Sequence, residues 1–190
     1  SDMITSNSRA LLGLLDDVLD LSRLEAGRVK LARDDFSLSE LTYRVFERLD
    51  MAAQAKNLKI EYHFPDDCTV TADEARIRQV IENFAANAVK YTPANGNICV
   101  RIAVQRYSTV ARRSATFSIE NDSAPLSDEA LDKVWDTFYR ADESRSGTGT
   151  GLGLAIASRI AALHGAQLEY QSEIGMGTVV MVVLDAEGGV

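Results

Sequence analysis

Two segments of the sequence carry residue types that suit a nucleoside triphosphate. The first contains closely spaced glycines and leads directly into a helical pattern; these are Gly147, Gly149, Gly151 and Gly153. Because the first N–H groups of a helix have no partner within the helix, a glycine-rich segment at a helix start is typical of an anion-binding site.

The second segment lies earlier in the chain, on a helical pattern with a clear apolar stripe. Asn83, Asn87 and Lys90 share one flank of this predicted helix, beside the stripe that contains Phe84. Carboxamide oxygens suit a hydrated Mg²⁺, and an ammonium group suits phosphate. Asparagine also has poor helix propensity, which favours a binding site over a solvated helix flank.

The glycine-rich segment does not fit the common phosphate-binding motifs. A P-loop requires a Gly-Lys pair, and the sequence contains none. A dinucleotide fingerprint requires small residues where Leu152 and Leu154 stand, and protein-kinase signatures are also missing. A flexible linker is disfavoured as well, because Leu152, Leu154 and Ile156 predict a packed helix.

Composition limits the other classes of function. A chain of 190 residues with 46% hydrophobic content predicts one core and a short extension. The formal net charge of −8 argues against binding to nucleic acid or to an anionic membrane, so any phosphate pocket must be locally positive. Lys90, Arg140 and Arg145 could supply that charge.

The cysteines and the apolar runs predict a cytoplasmic location. Cys68 and Cys99 have neither disulfide-framework nor zinc spacing, and both are interpreted as half-buried strand residues. We find no apolar run long enough to span a membrane and no signal-peptide pattern. A reducing cytosolic compartment is therefore expected.

Apolar periodicity predicts helices that alternate with pairs of strands. Helices are predicted at Ile4 to about Lys30, from a Ser37 cap toward Lys56, from an Asp73 cap through the asparagine segment, at Asp128 to Trp135, and at Gly151 to Leu163 with Gly165 as its left-handed cap. Strand pairs are predicted at Leu58 to Phe64 with a returning strand Cys68 to Ala72, at Ile98 to Tyr107 with Ala115 to Glu120, and at Gln167 to Ser172 with Gly177 to Leu184.

The remaining segments are predicted as connections. Charged residues 28–35 form a connector, a basic loop passes through Arg112 and Arg113, residues 139–150 form a solvated loop, and residues 174–177 form a turn. Helices between strand pairs indicate an α+β layered sandwich, with a mixed sheet and helices on one face, rather than a doubly wound parallel sheet.

The ordered motifs resemble the C-terminal half of a bacterial sensor histidine kinase, a member of the Bergerat-fold superfamily. Residues 15–27 are similar to the end of the second helix of the dimerization and histidine-phosphotransfer bundle. The nucleotide-binding motifs follow in order: Asn83 to Tyr91 resembles the N box, Glu120 to Leu126 the first glycine box, Trp135 to Arg140 the F box, Gly149 to Leu154 the second glycine box and Ser172 to Thr178 the third.

The resemblance implies a fold and a division of the chain. The expected fold is a two-layer α/β sandwich, with a mixed, mostly antiparallel sheet packed on three helices, preceded by one long bundle helix. Residues 1–33 would form part of that bundle helix and a linker, and residues 34–190 the catalytic ATP-binding domain.

The resemblance also implies roles for the site residues toward ATP and Mg²⁺. Asn87 would bind the metal, Asn83 would support metal waters and phosphate, Lys90 would bind phosphate, and Tyr91 would pack on the adenine. The other expected nucleotide-binding residues are Asn121, Leu126, Phe138, Arg140, Gly149, Thr150, Gly151, Leu152, Gly153, Leu154 and Thr178.

Trp135, Phe138 and Arg140 belong to the segment that resembles the F box. From the residues alone, Trp135 and Phe138 are interpreted as core anchors beneath the loop rather than ligand contacts. Arg140 is either a phosphate contact or part of a surface salt bridge.

The first glycine box departs from the family pattern Asp-x-Gly-x-Gly. Asn121 stands where the family has the aspartate that accepts a hydrogen bond from the adenine amino group, and Ser123 and Pro125 replace the glycines. An asparagine oxygen can accept the same bond without charge assistance. The neighbouring Asp122 aligns less well.

The expected reaction is phosphoryl transfer, with positioning and charge neutralisation in place of a base. Hydrolysing relatives carry a glutamate at the position of Asn83, and an amide cannot accept that proton. His63 and His164 lack the residues that follow the family's phosphoacceptor, so we assign no catalytic residue and expect the acceptor histidine on a bundle helix outside this sequence.

The implied partners are a histidine-bearing dimerization bundle, as a homodimer in a longer protein, and the receiver domain of a response regulator. Neither nucleic-acid nor membrane contact is expected for this fragment, which would be the cytosolic portion of a membrane-anchored sensor. The alternative function is a regulatory pseudokinase with weak or no ATP binding. An ATPase or a protein-serine kinase of the same superfamily is disfavoured by Asn83 and by the bundle helix.

Overall fold

A five-stranded mixed sheet and the helices packed on it dominate the structure, a computed structural model that describes residues 2–106, 112–140, 150–173 and 177–187. The helices are α1 (Asp2–Glu25), α2 (Leu38–Glu47), α3 (Asp50–Ala55), α4 (Glu74–Tyr91), α5 (Asp128–Lys133) and α6 (Gly153–Leu163). The strands are β1 (Asp34–Ser37), β2 (Lys59–His63), β3 (Thr69–Ala72), β4 (Asn97–Arg106), β5 (Arg112–Asn121), β6 (Gln167–Glu173) and β7 (Gly177–Glu187).

The sheet has the strand order β2-β4-β5-β7-β6. β2 pairs with β4 in parallel, and the other neighbouring strands pair antiparallel. Its register places Asn121, at the end of β5, between Ile98 of β4 and Thr178 of β7. The predicted mixed, mostly antiparallel sheet is confirmed.

Helices α2, α4 and α6 share one hydrophobic core with the sheet. The predicted apolar stripe of α4 is buried throughout, from Ile77 to Ala88, because these residues recur at helical spacing on one face. Leu41 of α2, Phe117 of β5 and Ile156 of α6 belong to the same cluster. The predicted two-layer α+β architecture is therefore confirmed.

The predicted hairpin between β2 and a returning strand is wrong. β3 instead pairs antiparallel with β1, in a separate two-stranded sheet where Phe36 lies opposite Val70. Both of these side chains are buried in the core. β1 was expected as part of a charged connector, because a single apolar residue among acidic ones gives no strand pattern.

The predicted helix from Leu38 to Lys56 is interrupted. Ser37 is confirmed as its cap, since its Oγ accepts a hydrogen bond from the Glu40 N–H at 3.3 Å. At Arg48 and Leu49 the backbone N–H groups bond three residues back, to Val45 and Phe46. This tighter turn ends α2 before α3 begins, and no glycine or proline marks it in the sequence.

Other boundaries differ in detail. α1 ends at Glu25, where Gly27 adopts a left-handed φ of 64° and a Schellman pair of hydrogen bonds closes the helix. Arg112 and Arg113, expected in a loop, lie in β5. Most of the predicted loop 139–150 and most of the predicted turn 174–177 lie outside the described residues.

The C-terminal half of α1 docks against the rest of the chain. Leu21 and Leu24 are buried in the common core, and both Asp20 oxygens accept from Arg76 Nη1 at 2.9 Å. The proposed division into residues 1–33 and 34–190 stays a prediction. In the part of the chain that the structure describes, no helix has the length and apolar character needed to cross a membrane.

Asp73 and His164 join the start of α4 to the end of α6. Asp73 carboxylate oxygens accept from the Arg76 and Ala32 N–H groups, and the Asp73 N–H donates to His164 Nε2 at 3.2 Å. His164 Nδ1 lies 2.8 Å from the Ile160 carbonyl oxygen, so Nδ1 carries the proton and the ring is neutral. Burial lowers the pKa of His164 despite the Ile160 bond, so the ring does not act as a cation at the end of α6.

The stability of the fold should fall as pH decreases below the ordinary histidine pKa. The unfolded chain binds a proton at His164 near pH 6.5, while the folded chain resists protonation, so acidification favours unfolding. Urea unfolding at about pH 7.5 and about pH 5.5 measures this loss. His164→Gln should lose less stability between the two pH values than the wild type.

The exposed His63 on β2 provides the matched control. His63→Gln should keep the loss of stability that arises at His164, because its side chain is not part of the α4–α6 junction. Equal pH slopes in wild type and His164→Gln would contradict the assignment.

Candidate functional site

A cavity of about 650 Å³ lies between α4, α6 and the segment that follows β5. It collects residues that are far apart in the sequence. The predicted site residues that line it are Asn83, Asn87, Lys90, Tyr91, Asn121, Leu126, Arg140, Thr150, Gly151, Gly153 and Leu154.

The asparagine flank of α4 meets the glycine-led start of α6 directly. Asn83 Nδ2 donates to the Gly153 carbonyl oxygen at 3.0 Å. A Cβ atom at Gly153 would lie 3.1 Å from Asn83 Oδ1, so a side chain there would crowd the amide. The two segments whose residue types suit a nucleoside triphosphate therefore meet in space.

Gly151 and Phe138 fix the approach of the glycine segment through their backbones. The Phe138 N–H donates to the Gly151 carbonyl oxygen at 2.9 Å, and both residues have positive φ, 63° and 72° respectively. A Cβ atom at Gly151 would lie 2.9 Å from Phe138 backbone atoms. Only glycine combines this conformation with this contact.

The interpretation of Phe138 as a core anchor is wrong. The residue is 60% exposed, and its backbone has a positive φ. Phe138 is also not among the residues that line the cavity. Trp135 is partly buried against the core, with its ring edge-to-face with Tyr170, so its predicted anchoring role is confirmed.

The C-terminal end of α4 presents a cation and an aromatic ring to the cavity. Lys90 Nζ lies 5.0 Å from the centroid of the Tyr91 ring, and that ring is half-exposed. Lys56 Nζ donates to the Val89 and Lys90 carbonyl oxygens, at 2.8 Å each. This end of the helix is thus held by a second ammonium group, which complements the helix dipole.

Asn121 occupies the buried end of β5, with 6% of its surface exposed. Its Nδ2 donates to Thr92 Oγ1 at 3.1 Å. Asp122, the neighbouring acidic residue, accepts from the N–H and Nδ2 groups of Asn97 and closes the ends of β4 and β5. Asp122 therefore has a structural role, which agrees with its poorer alignment to the family's adenine-binding aspartate.

The other predicted site residues are placed as follows. The Leu126 N–H donates to the buried Ser172 Oγ at 3.0 Å, which ties the first glycine box to β6. Leu152 is fully buried in the core and anchors the glycine segment without lining the cavity. The backbone of Thr178 lies beside Asn121 in the sheet register. Gly149 and Arg145 lie outside the described residues.

Asp17 is a lining residue whose position the sequence did not predict. It belongs to α1, and its Oδ2 accepts from Thr150 Oγ1 at 3.0 Å; that hydroxyl accepts in turn from the Leu152 N–H at 3.3 Å. Asp17 was part of the motif that indicated a bundle helix. Only the docking of that helix brings the carboxylate to the cavity.

The cavity offers groups that fit a magnesium-bound triphosphate. Asn87 is half-buried on the lining and provides a carboxamide oxygen, the ligand type that Mg²⁺ accepts together with phosphate and water. Lys90 and Arg140 supply positive charge on the same lining. Among the described residues, no cluster of three or more His, Cys, Asp or Glu side chains forms a metal site.

The cavity and the layered fold agree with comparisons to known proteins. Residues 72–188 match the family described as histidine kinase-, DNA gyrase B-, and HSP90-like ATPase. The matched range includes α4, α6 and the sheet strands from β4 onward. The chain belongs to this family.

Within the family, its relatives and structural neighbours include sensor histidine kinases. The chain is 29% identical, over 96% of its length, to sensor histidine kinase YclK of Bacillus subtilis, and 31% identical, over 97%, to the non-motile and phage-resistance protein of Caulobacter vibrioides. It spans 38% and 22% of these two proteins. The full-length ShkA structure in complex with AMPPNP has a TM-score of 0.81 at 28% identity, over 95% of this chain and 37% of ShkA. The chain thus carries an ATP-binding catalytic domain of the sensor histidine kinase type.

Substituting Gly151 should destabilise the folded chain. In Gly151→Ala the added Cβ meets the Phe138 backbone in a left-handed conformation, so the free energy of unfolding should fall by roughly 1–3 kcal/mol. Gly13 of α1 provides the control, because a Cβ there meets nothing within 4 Å. Gly13→Ala should raise stability by about 0.5–1 kcal/mol through helix propensity. Denaturant titration measures both, and a neutral Gly151→Ala would contradict the geometry.

Proposed function

We propose that this chain binds Mg-ATP in the cavity and transfers the γ-phosphoryl group to a histidine of a dimerization bundle, from which a response-regulator aspartate receives it. The observation that carries the proposal is the direct contact of the asparagine flank of α4 with the glycine-led start of α6, through Asn83 and Gly153. This contact places amide, ammonium and helix N-terminal groups around one volume.

The side chains divide the binding task by chemistry. Asn87 would hold Mg²⁺ through its Oδ1, and Lys90 would bind phosphate through its ammonium group. Tyr91 packs against the adenine, and Asn121 accepts a hydrogen bond from the adenine amino group. Thr150, Gly151 and Gly153 form the wall beside the triphosphate, where N–H groups at the start of α6 favour negative charge.

Residues of this domain would act by positioning and charge neutralisation. The Asn83 Nδ2 is bonded to Gly153, and an amide does not accept a proton from water at neutral pH. In the transfer, a bond forms between a histidine nitrogen and the γ-phosphorus, and the bond from that phosphorus to the bridging oxygen breaks to release ADP. Alignment of these atoms and neutralisation of their charge then account for catalysis.

The exposed face of α1 supports the proposed bundle partner. Leu11, Leu12, Leu15, Val18 and Leu19 are each at least 39% exposed, so this stripe is available to other helices. We assign it to the dimerization bundle of a second copy, with residues 1–33 as the bundle segment and residues 34–190 as the catalytic domain. A cytosolic location and a response-regulator partner remain part of this proposal.

A transfer experiment tests the function. The chain is mixed with a separately produced histidine-bearing bundle and with ATP labelled at the γ-phosphate, and we expect acid-labile label on the bundle. The matched control is the same bundle with its histidine replaced. Tight ATP binding without any transfer would contradict the kinase proposal.

The altered first glycine box supports one alternative, a regulatory pseudokinase. Asn121, Ser123 and Pro125 replace the family's charged and flexible residues near the base. Calorimetry with Mg-ATP separates the two functions. A dissociation constant beyond several millimolar would favour the pseudokinase, because such a site would be largely empty at ATP concentrations below that value.

Removal of the metal ligand should weaken Mg-ATP binding specifically. In Asn87→Ala the affinity for Mg-ATP should fall about tenfold or more, while the affinity for ATP in the presence of EDTA should change little. Gln54→Ala, which removes an exposed carboxamide on α3, should bind Mg-ATP like the wild type. Unchanged Mg-ATP affinity in Asn87→Ala would remove Asn87 from the metal site.

A further inference from the structure

The side-chain amide of Asn121 can point either its oxygen or its nitrogen toward a ligand, a choice that an aspartate would not have. A carboxylate can only accept hydrogen bonds, but a carboxamide has an accepting oxygen and a donating nitrogen at its two ends. Turned one way, Asn121 would face a 6-aminopurine such as adenine. Turned the other way, it would face a 6-oxopurine such as hypoxanthine or guanine.

The structure fixes the direction of this amide from behind. Thr92 is fully buried at the end of α4, and its hydroxyl donates to the Ala88 carbonyl oxygen at 2.6 Å. Because a hydroxyl has a single proton, Thr92 Oγ1 can offer Asn121 only an acceptor. Asn121 Nδ2 donates to it at 3.1 Å.

A second acceptor reinforces the same direction. Asn121 Nδ2 lies 3.3 Å from the Asp122 carbonyl oxygen, which cannot donate. The Asp122 backbone is itself held, because its N–H donates to the Asn97 carbonyl oxygen at 3.0 Å. Rotation of the Asn121 amide would place Oδ1 against two oxygen acceptors in a buried site, which is costly.

We propose that Thr92 is a positioning residue for nucleotide selectivity: by fixing the Asn121 amide with its oxygen toward the cavity, it makes the site select 6-aminopurine over 6-oxopurine triphosphates. The inference rests on the proposed function, because it assumes that the purine base lies beside Asn121. Thr92 acts through Asn121 and does not line the cavity.

The wild-type chain gives the first test, by calorimetry with Mg-ATP and Mg-ITP. ITP carries a carbonyl oxygen where ATP carries the amino group, so its oxygen would face Asn121 Oδ1. We expect ATP to bind roughly tenfold more tightly or better. Equal affinities would overturn the inference while leaving the proposed function intact, whereas no binding of either nucleotide would contradict the proposed function.

Substitutions at Thr92 give the second test. Thr92→Val keeps the branched shape and removes the acceptor, so the amide can rotate and the ATP-to-ITP affinity ratio should fall several-fold. Thr92→Ser keeps the hydroxyl and should retain the wild-type ratio. The proposal would be overturned if the ATP-to-ITP affinity ratio of Thr92→Val stayed at the wild-type value. It would also be overturned if Thr92→Val and Thr92→Ser lowered that ratio equally.

The same Thr92 substitution in an Asn121→Asp chain separates an effect on the orientation of the Asn121 amide from a general structural effect of the substitution. A carboxylate has no donating end, so its rotation changes nothing for the purine. The ATP-to-ITP ratio of Asn121→Asp should therefore not change when Thr92→Val is added. If Thr92→Val lowered the ATP-to-ITP ratio equally with Asn121 and with Asn121→Asp, Thr92 would act by another route and the proposal would be overturned. If Thr92→Val does not fold, the ratios of Thr92→Ser and of the wild type still decide the proposal.

Discussion

The close approach of α4 to α6 is the constraint on which the rest of the site depends. Asn83 donates to the Gly153 carbonyl oxygen at a position where a side chain on Gly153 would crowd the amide, and the adjacent Leu152 is buried in the core. The apolar stripe of α4 holds that helix on the sheet, and its polar flank then faces the start of α6 by helical geometry. The cavity is the space that this packing leaves beside the end of β5.

Much of this arrangement could be predicted, because it depends on local patterns. The stripe of α4, the Ser37 and Asp73 caps and most of the helices and strands follow from periodicity and capping chemistry. The pairing of β3 could not be predicted, since adjacency in sequence favours a hairpin and the burial of Phe36 against Val70 is a tertiary effect. Phe138 was misplaced for a related reason: its apolar character suggested the core, while in the structure it is exposed and has a positive φ beside Gly151.

The base end of the site shows how a changed residue can keep its function through its surroundings. Asn121 lacks the charge of an aspartate, yet Thr92 and the Asp122 carbonyl oxygen restrict it to the same accepting direction. Sequence reasoning found the substitution but not its compensation. Thr92 is distant in the chain, and as a residue at a helix end its hydroxyl has no distinctive pattern. Only the contact between the end of α4 and the end of β5 relates the two side chains.

Because α1 docks on the nucleotide site, a boundary drawn after this helix removes part of the surroundings of the site. Asp17 contributes a carboxylate to the cavity wall through Thr150, and Asp20 holds the same helix against Arg76 of α4. A chain trimmed at the linker would keep every family motif of the nucleotide site but would lose this negative charge and expose the surface that Leu21 and Leu24 cover. Nucleotide affinities measured with and without the helix therefore describe two different electrostatic environments, and a comparison of relatives is meaningful only when both carry the same length of helix.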